Sequence, residues 1–286
     1  MDLWNSWCTV IFCMLAIYTN QVSAETKGAL IFGRAGELVR LDLLSKRLEK
    51  VTARGFSQCT TPHIAKLDDR YLLLGEECGR GRILKLDLND GTASFVTNGY
   101  EPTYLSTAKK LFYFRLSQDT GGLPLFVSDL DKVSATEKVV NKESFSGGVH
   151  IIPISASEIL FFSRISRGRV WRYDVTTMDL NEVRLGCTPA AWRSATKQLL
   201  CFDAGRKRFI LTDLRREHAE VVSDLDRANP LLYIDQLDAL VFDTSEYNFF
   251  PPERRDLVIY DFKTHKLEVL LKGVGLNWGA VVYLEQ

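Results

Sequence analysis

Three side chains in this sequence could together hold a divalent metal ion. His63 and His150 occupy the same point of two matching segments, Pro62-His63-Ile64 and Val149-His150-Ile151. Glu101 stands at the corresponding point of a third, just before Pro102-Thr103-Tyr104, and Thr103, Asn229 and Asn277 fall in the same region of others. Two imidazoles and a carboxylate around one opening could bind such a cation and activate a water on it. That is the chemistry of a metal-dependent hydrolase, lactonase or lyase. The same three residues can equally be hydrogen-bonded polar groups on a rim. The sequence favours that plainer role, with no cofactor, and keeps the metal as the alternative.

A second set is cationic. Arg34, Arg80, Arg82, Arg164, Arg167, Arg169, Arg206, Lys207, Arg208, Arg254 and Arg255 all fall in short polar stretches between apolar runs. Guanidinium forks suit carboxylate or phosphate. Carboxylates lie nearby, among them Glu37, Glu76, Glu77, Asp203, Glu253 and Asp256, so a self-neutralised surface is the competing expectation. One of these stretches also carries Tyr247, Phe249 and Phe250 beside two prolines, a loop suited to contact.

Beyond the first 24 residues there are four cysteines, Cys59, Cys78, Cys187 and Cys201. An even count in an exported chain points to disulfides. Cys59 and Cys78 are symmetric about the Asp68-Asp69 turn and should face one another. Cys187 and Cys201 are off the register of their hairpin and need a bulge to meet. Zinc-type cysteine spacing is missing, and so are the common nucleophile, phosphate-loop and metalloprotease motifs.

The elements that position these residues repeat. LVRLDL, ILKLDL, LFVSDL, VWRYDV, FILTDL and LVIYDF place aspartates at 42, 87, 129, 174, 213 and 261, separated by 45, 42, 45, 39 and 48 residues. Short runs of β-branched, aromatic and leucine residues at this period indicate the blades of a β-propeller. Each blade should hold four antiparallel strands. Strand A opens near a proline, B is an apolar run, C ends in the aspartate and D follows. The aspartates are expected to form turns by accepting backbone N–H bonds. The fold expected is all-β and six-bladed. Because the first repeat starts at strand B, the C-terminal AVVYLEQ should complete that blade and close the ring. Strand A lines the channel, so His63, Glu101 and His150 would share one mouth with the cationic B–C hairpins.

Residues 1–24 read as a secretory signal, with an apolar run from Trp7 to Tyr18 and small residues at Val22-Ser23-Ala24. Their removal leaves residues 25–286 as one propeller domain with 36 basic and 35 acidic residues. So balanced a charge gives no reason to expect nucleic acid as a partner. Stable membrane insertion after cleavage is not expected either.

The paired strand B and strand C patterns, repeated across residues 28–286, resemble TolB-type, WD40-like repeats. The family's S-P-D-G turn is replaced here by Leu67-Asp68-Asp69-Arg70, Thr107-Ala108-Lys109-Lys110 and Ser194-Ala195-Thr196-Lys197. A counterpart of the family's N-terminal α/β domain is not expected. The resemblance implies six blades and an envelope location, periplasmic or secreted. The function expected is a non-catalytic binding or scaffold module that contacts an envelope protein or anionic ligand through its B–C loops.

Overall fold

Leu72, Leu73 and Leu74 are consecutive and all fully buried, which a strand permits only when both of its faces are covered. Leu72 and Leu74 pack toward the first blade, and Leu73 packs toward the third. The same alternation holds in the first blade, where Leu30 and Phe32 face the sixth blade and Ile31 faces the second. Six apolar clusters result, one in each seam between neighbouring blades. The core is therefore a ring of seams.

A computed structural model describes residues 27–285 apart from 35, 58–62, 77–80, 117–121, 142–148, 164–168, 216, 226–228, 245–254 and 274–280. The described strands form six four-stranded antiparallel sheets. In the order A to D, blade two holds His63–Lys66, Tyr71–Glu76, Arg82–Asp87 and Ala93–Thr97. Blade three holds Tyr100–Leu105, Lys110–Phe114, Leu125–Asp129 and Lys138–Asn141. Blade four holds Val149–Pro153, Glu158–Ser163, Val170–Asp174 and Leu180–Val183. Blade five holds Thr188–Arg193, Gln198–Asp203, Arg208–Thr212 and Ala219–Val222. Blade six holds Asn229–Ile234, Ala239–Asp243, Leu257–Asp261 and Lys266–Leu271.

Blade one is made from both ends of the chain. Its B, C and D strands are Ala29–Arg34, Glu37–Asp42 and Leu48–Val51, and its A strand is Val282–Leu284. Ala29 pairs with Leu284 and Ile31 with Val282, so the ring closes as expected. The Tyr283 hydroxyl donates to the Lys27 carbonyl at 2.7 Å and fastens the seam from the opposite end of the chain.

Five of the six repeat aspartates form turns. Asp42 accepts the Ser45 N–H at 2.7 Å, Asp87 that of Asn89 at 2.9 Å and Asp174 that of Thr176 at 2.7 Å. Asp213 accepts from Arg215 at 2.9 Å and Asp261 from Lys263 at 2.7 Å. Asp129 differs because a 3₁₀ turn, Leu130–Lys132, and a one-turn helix, Val133–Thr136, follow it. Its carboxylate takes the Lys110 ammonium at 2.5 Å instead.

Three A strands bulge beside a proline, between Tyr100 and Thr103, between Pro189 and Ala191, and between Pro230 and Leu232. Proline brings no N–H to the ladder, so these inner-edge strands lose little by breaking register there.

Candidate functional site

In each blade the B–C hairpin and the D–A connection share one end of the ring, here called the mouth. The A–B and C–D turns share the other, the turn end. The B–C hairpins carry the expected cations, but two of those cations are already engaged. In blade two, Glu76 ends strand B and Arg82 opens strand C. Glu76 is 1% exposed and accepts Arg82 Nε at 2.6 Å, while its other oxygen accepts the Ser57 N–H at 2.6 Å. In blade six, Asp243 ends strand B at 2% exposed, with Arg255 Nη1 3.7 Å from its carboxylate and Asn229 Nδ2 donating at 3.2 Å. Below that hairpin, Thr244 and Asp256 bond each other's backbone and Asp256 accepts the Gly273 N–H at 2.9 Å. Arg82 and Arg255 are therefore clamps at hairpin bases, which corrects their place in the expected cationic rim. The reason is desolvation. Burying a carboxylate this deeply is costly unless a cation and hydrogen bonds compensate it.

Blade five carries the same residue types without the clamp. Asp203 and Arg208 are opposed in the ladder, yet Asp203 Oδ1 turns to the Gly205 and Arg206 N–H groups at 3.1 and 3.3 Å. Arg206 and Lys207 are exposed at the hairpin tip. Arg208 is half-buried, with its Nε shielded from solvent and without a hydrogen-bond partner. Arg208 is thus not the solvated tip residue its position suggested. Arg169 is exposed just before strand C of blade four. Arg167, Arg254, Tyr247, Phe249 and Phe250 lie outside the described residues.

On the channel side, His63 and Glu101 do come together. His63 Nε2 lies 3.9 Å from Glu101 Oε1, joining the A strands of blades two and three at the mouth. Glu101 adopts φ +49 inside a strand. The other described non-glycine residues with positive φ are in turns or directly after them, where such angles are common. Two glycines make room for this bulge. A Cβ on Gly75 would sit 2.7 Å from Pro102 Cδ, and one on Gly81 (φ +70) would sit 2.6 Å from the Tyr100 ring. A residue held in a sparsely populated conformation marks a place worth testing for function. His150 is placed differently, its ring 5.5 Å from that of Phe162. Among the described residues no three His, Cys, Asp or Glu side chains gather in a group that would hold a metal.

Cys187 and Cys201 are bonded, with Cα atoms 5.7 Å apart, while Cys59 and Cys78 lie outside the described residues. The bulge makes this pairing possible. Arg193 pairs with Gln198, but past the bulge Pro189 pairs with Cys201, one residue off that register, which brings Cys187 within reach.

Several charges at the turn end are spent on structure. Arg193 holds Asp238 with both arms, Nε to Oδ1 at 2.8 Å and Nη2 to Oδ2 at 2.6 Å, bridging blades five and six. The Tyr233 hydroxyl donates to the same carboxylate at 2.7 Å, and the guanidinium lies 4.6 Å over the Phe262 ring. The Arg193 bonds hold the Asp238 carboxyl below its usual range, and burial pushes the Tyr233 phenol up. Arg70 pairs with Asp87 at 2.5 Å, and Arg172 pairs with Glu158. Trp192 packs into the seam between blades four and five.

No family model matches the chain, and no curated protein matches it in sequence. Solved structures do. TolB from Acinetobacter baumannii superposes with a TM-score of 0.67 at 15% identity, over 95% of this chain and 70% of that one. A putative TolB from Agrobacterium tumefaciens gives 0.59 at 12% identity, over 91% of this chain and 99% of that one. A Bacteroides thetaiotaomicron protein of unknown function gives 0.52 at 10% identity, over 86% and 79% of the two chains. At these identities the likeness is one of fold: this chain is a six-bladed propeller similar in structure to TolB. No helix among the described residues is long and apolar enough to cross a membrane.

Proposed function

We propose that this protein is an exported, non-catalytic binding or scaffold module of the cell envelope, and that it contacts a protein or anionic ligand through the mouth of the ring. The observation that carries this reading is the group of exposed cations that blade five holds at the mouth. At the turn end Arg193, Arg70 and Arg172 are engaged in ion pairs between or within blades, whereas blade five offers exposed cations at the mouth. The leader expected in residues 1–24 and the TolB-type pattern of the repeats support the exported setting.

The test is charge-matched. Arg206→Glu with Lys207→Glu reverses two cations at the mouth. Lys109→Glu with Lys197→Glu reverses two exposed cations in the A–B turns of blades three and five. Partner recovery from an extract of the producing cells, at low and moderate salt, should fall only for the mouth variant. Equal recovery by the two variants would remove the reading.

The second reading, a metal-dependent hydrolase, lactonase or lyase, draws on the His63–Glu101 approach and the unusual backbone of Glu101. Two side chains from adjacent blades supply two ligands of such a site. Metal analysis of the purified protein, compared with His63→Ala, separates the readings. A stoichiometric metal lost in the variant favours the enzyme.

A further inference from the structure

We propose that blade five presents a disulfide-stapled cationic lip, and that this lip takes an extended acidic segment of a partner protein. This rests on the reading of the mouth as the contact surface, and it names the part that makes contact and the chemistry it meets.

Blade five departs from blades two and six at one point. Where Glu76 and Asp243 turn inward to an arginine, Asp203 turns outward to the N–H groups of its own hairpin tip. Arg208 is left with a shielded Nε that has no hydrogen-bond partner. The tip adds Arg206 and Lys207, both exposed, with Lys207 at φ +51. A fourth cation, Arg184, is exposed on the connection that passes from the D strand of blade four to the A strand of blade five. Among the described residues none of these four has an ion-pair partner within 4.0 Å.

The two segments are fixed to a common base. Leu185, next to Arg184, is fully buried between blades four and five. Cys187 is bonded to Cys201, which sits in strand B two residues before Asp203. The connection bearing Arg184 and the hairpin bearing the other three cations therefore hang from one strand. Ordering them before binding removes part of the entropy that a flexible pair of loops would lose.

The spread of charge selects the occupant. The four cations are divided between two segments of the chain, Arg184 on the connection and Arg206, Lys207 and Arg208 on the hairpin. An extended chain advances about 3.3–3.6 Å per residue, so successive carboxylates can meet successive cations. Because Arg206 and Lys207 are exposed, their desolvation costs little, and the attraction should be sensitive to salt.

The experiment titrates fluorescein-labelled hexaglutamate against the full chain at two salt concentrations, with inorganic phosphate as competitor and chloride of matched ionic strength as its control. Arg206→Glu with Lys207→Glu should weaken binding about tenfold or more, and Arg184→Glu about three- to tenfold. Cys187→Ala with Cys201→Ala should weaken it about threefold through lost preorganisation. Thermal melts confirm that each variant folds. If the cysteine variant does not, Arg184→Glu still reports on the connection. Unchanged binding by the Arg206/Lys207 variant overturns the lip. Loss with Arg34→Ala but not with that variant keeps the mouth as the contact surface and rejects blade five as the place. Displacement by phosphate beyond matched chloride rejects the acidic segment in favour of a phosphate group.

Discussion

The mouth and the turn end of this ring are built from the same residue types, yet Asp and Arg do different work at each. At the turn end an aspartate ends strand C and accepts the N–H groups of a tight turn, and Arg193 crosses a seam to hold Asp238. At the mouth a carboxylate ends strand B and is buried against an arginine that opens strand C in blade two and lies just before it in blade six. In blade five that clamp is absent and the cations remain exposed or unpartnered. The difference teaches that a charged residue in a repeat is defined by which strand end it occupies and what shields it. Position in the repeat alone does not decide whether it is structural or available.

The largest expected effect breaks both ends together. Removing residues 274–286 takes away the Val282–Leu284 strand and leaves Ala29–Arg34 as an unpaired edge. The cooperative unfolding transition should be lost, and light scattering should report aggregation. A truncated protein that melts like the full chain would mean the closing strand is dispensable.

Next comes the clamp. Arg255→Ala strands a carboxylate that is 2% exposed, at a cost of roughly 3–5 kcal/mol. Chemical denaturation measures this, and a loss below about 1 kcal/mol would place Arg255 among ordinary surface cations. Breaking the turn-end bridge with Arg193→Ala should cost somewhat less, about 2–3 kcal/mol, because Tyr233 still donates to Asp238. That bridge also carries a pH signature. Asp238 titrates below its usual value when folded, chiefly because Arg193 bonds it. Its contribution is therefore fully present above the ordinary carboxylate range and is lost as pH falls through the folded value. The Arg193→Ala variant should show a smaller loss of stability on acidification than the parent.

Smaller still is a single turn. Asp174→Ala removes the acceptor for the Thr176 N–H and should cost about 1 kcal/mol. The smallest effect on stability belongs to Arg206→Glu with Lys207→Glu, within about 0.5 kcal/mol, although this pair should have the largest effect on binding.

How much of this was legible in the sequence depends on the range of the interaction. Leu72–Leu74 and AVVYLEQ announced the seams and the closing strand, because continuous apolar runs and an unfilled blade are local facts. The turn role of Asp174 and Asp261 was legible for the same reason. Asp129 was not, since the helical turn after it replaces the partners its position implies. The neutralisation of Arg82 by Glu76 was among the expectations, but the partner of Arg255, Asp243, sits across a hairpin whose base is invisible in a linear reading. Arg184 was passed over because no local signal marks the residue before a buried leucine as exposed. The His63–Glu101 approach followed from matching repeat positions, but the Glu101 bulge depends on Gly75 and Gly81 in the neighbouring blade. The Cys187–Cys201 bond hinged on a one-residue bulge that register counting could require but not place.

The central claim is that the mouth, and not the turn end, is the working surface. A photo-crosslinking residue placed in the producing cell at Arg206 and, separately, at Thr196 tests it within one blade, since both are exposed and occupy opposite ends of blade five. The account predicts a discrete higher-mass adduct from position 206 and none from position 196. Adducts of equal yield from both positions, or from 196 alone, would contradict it.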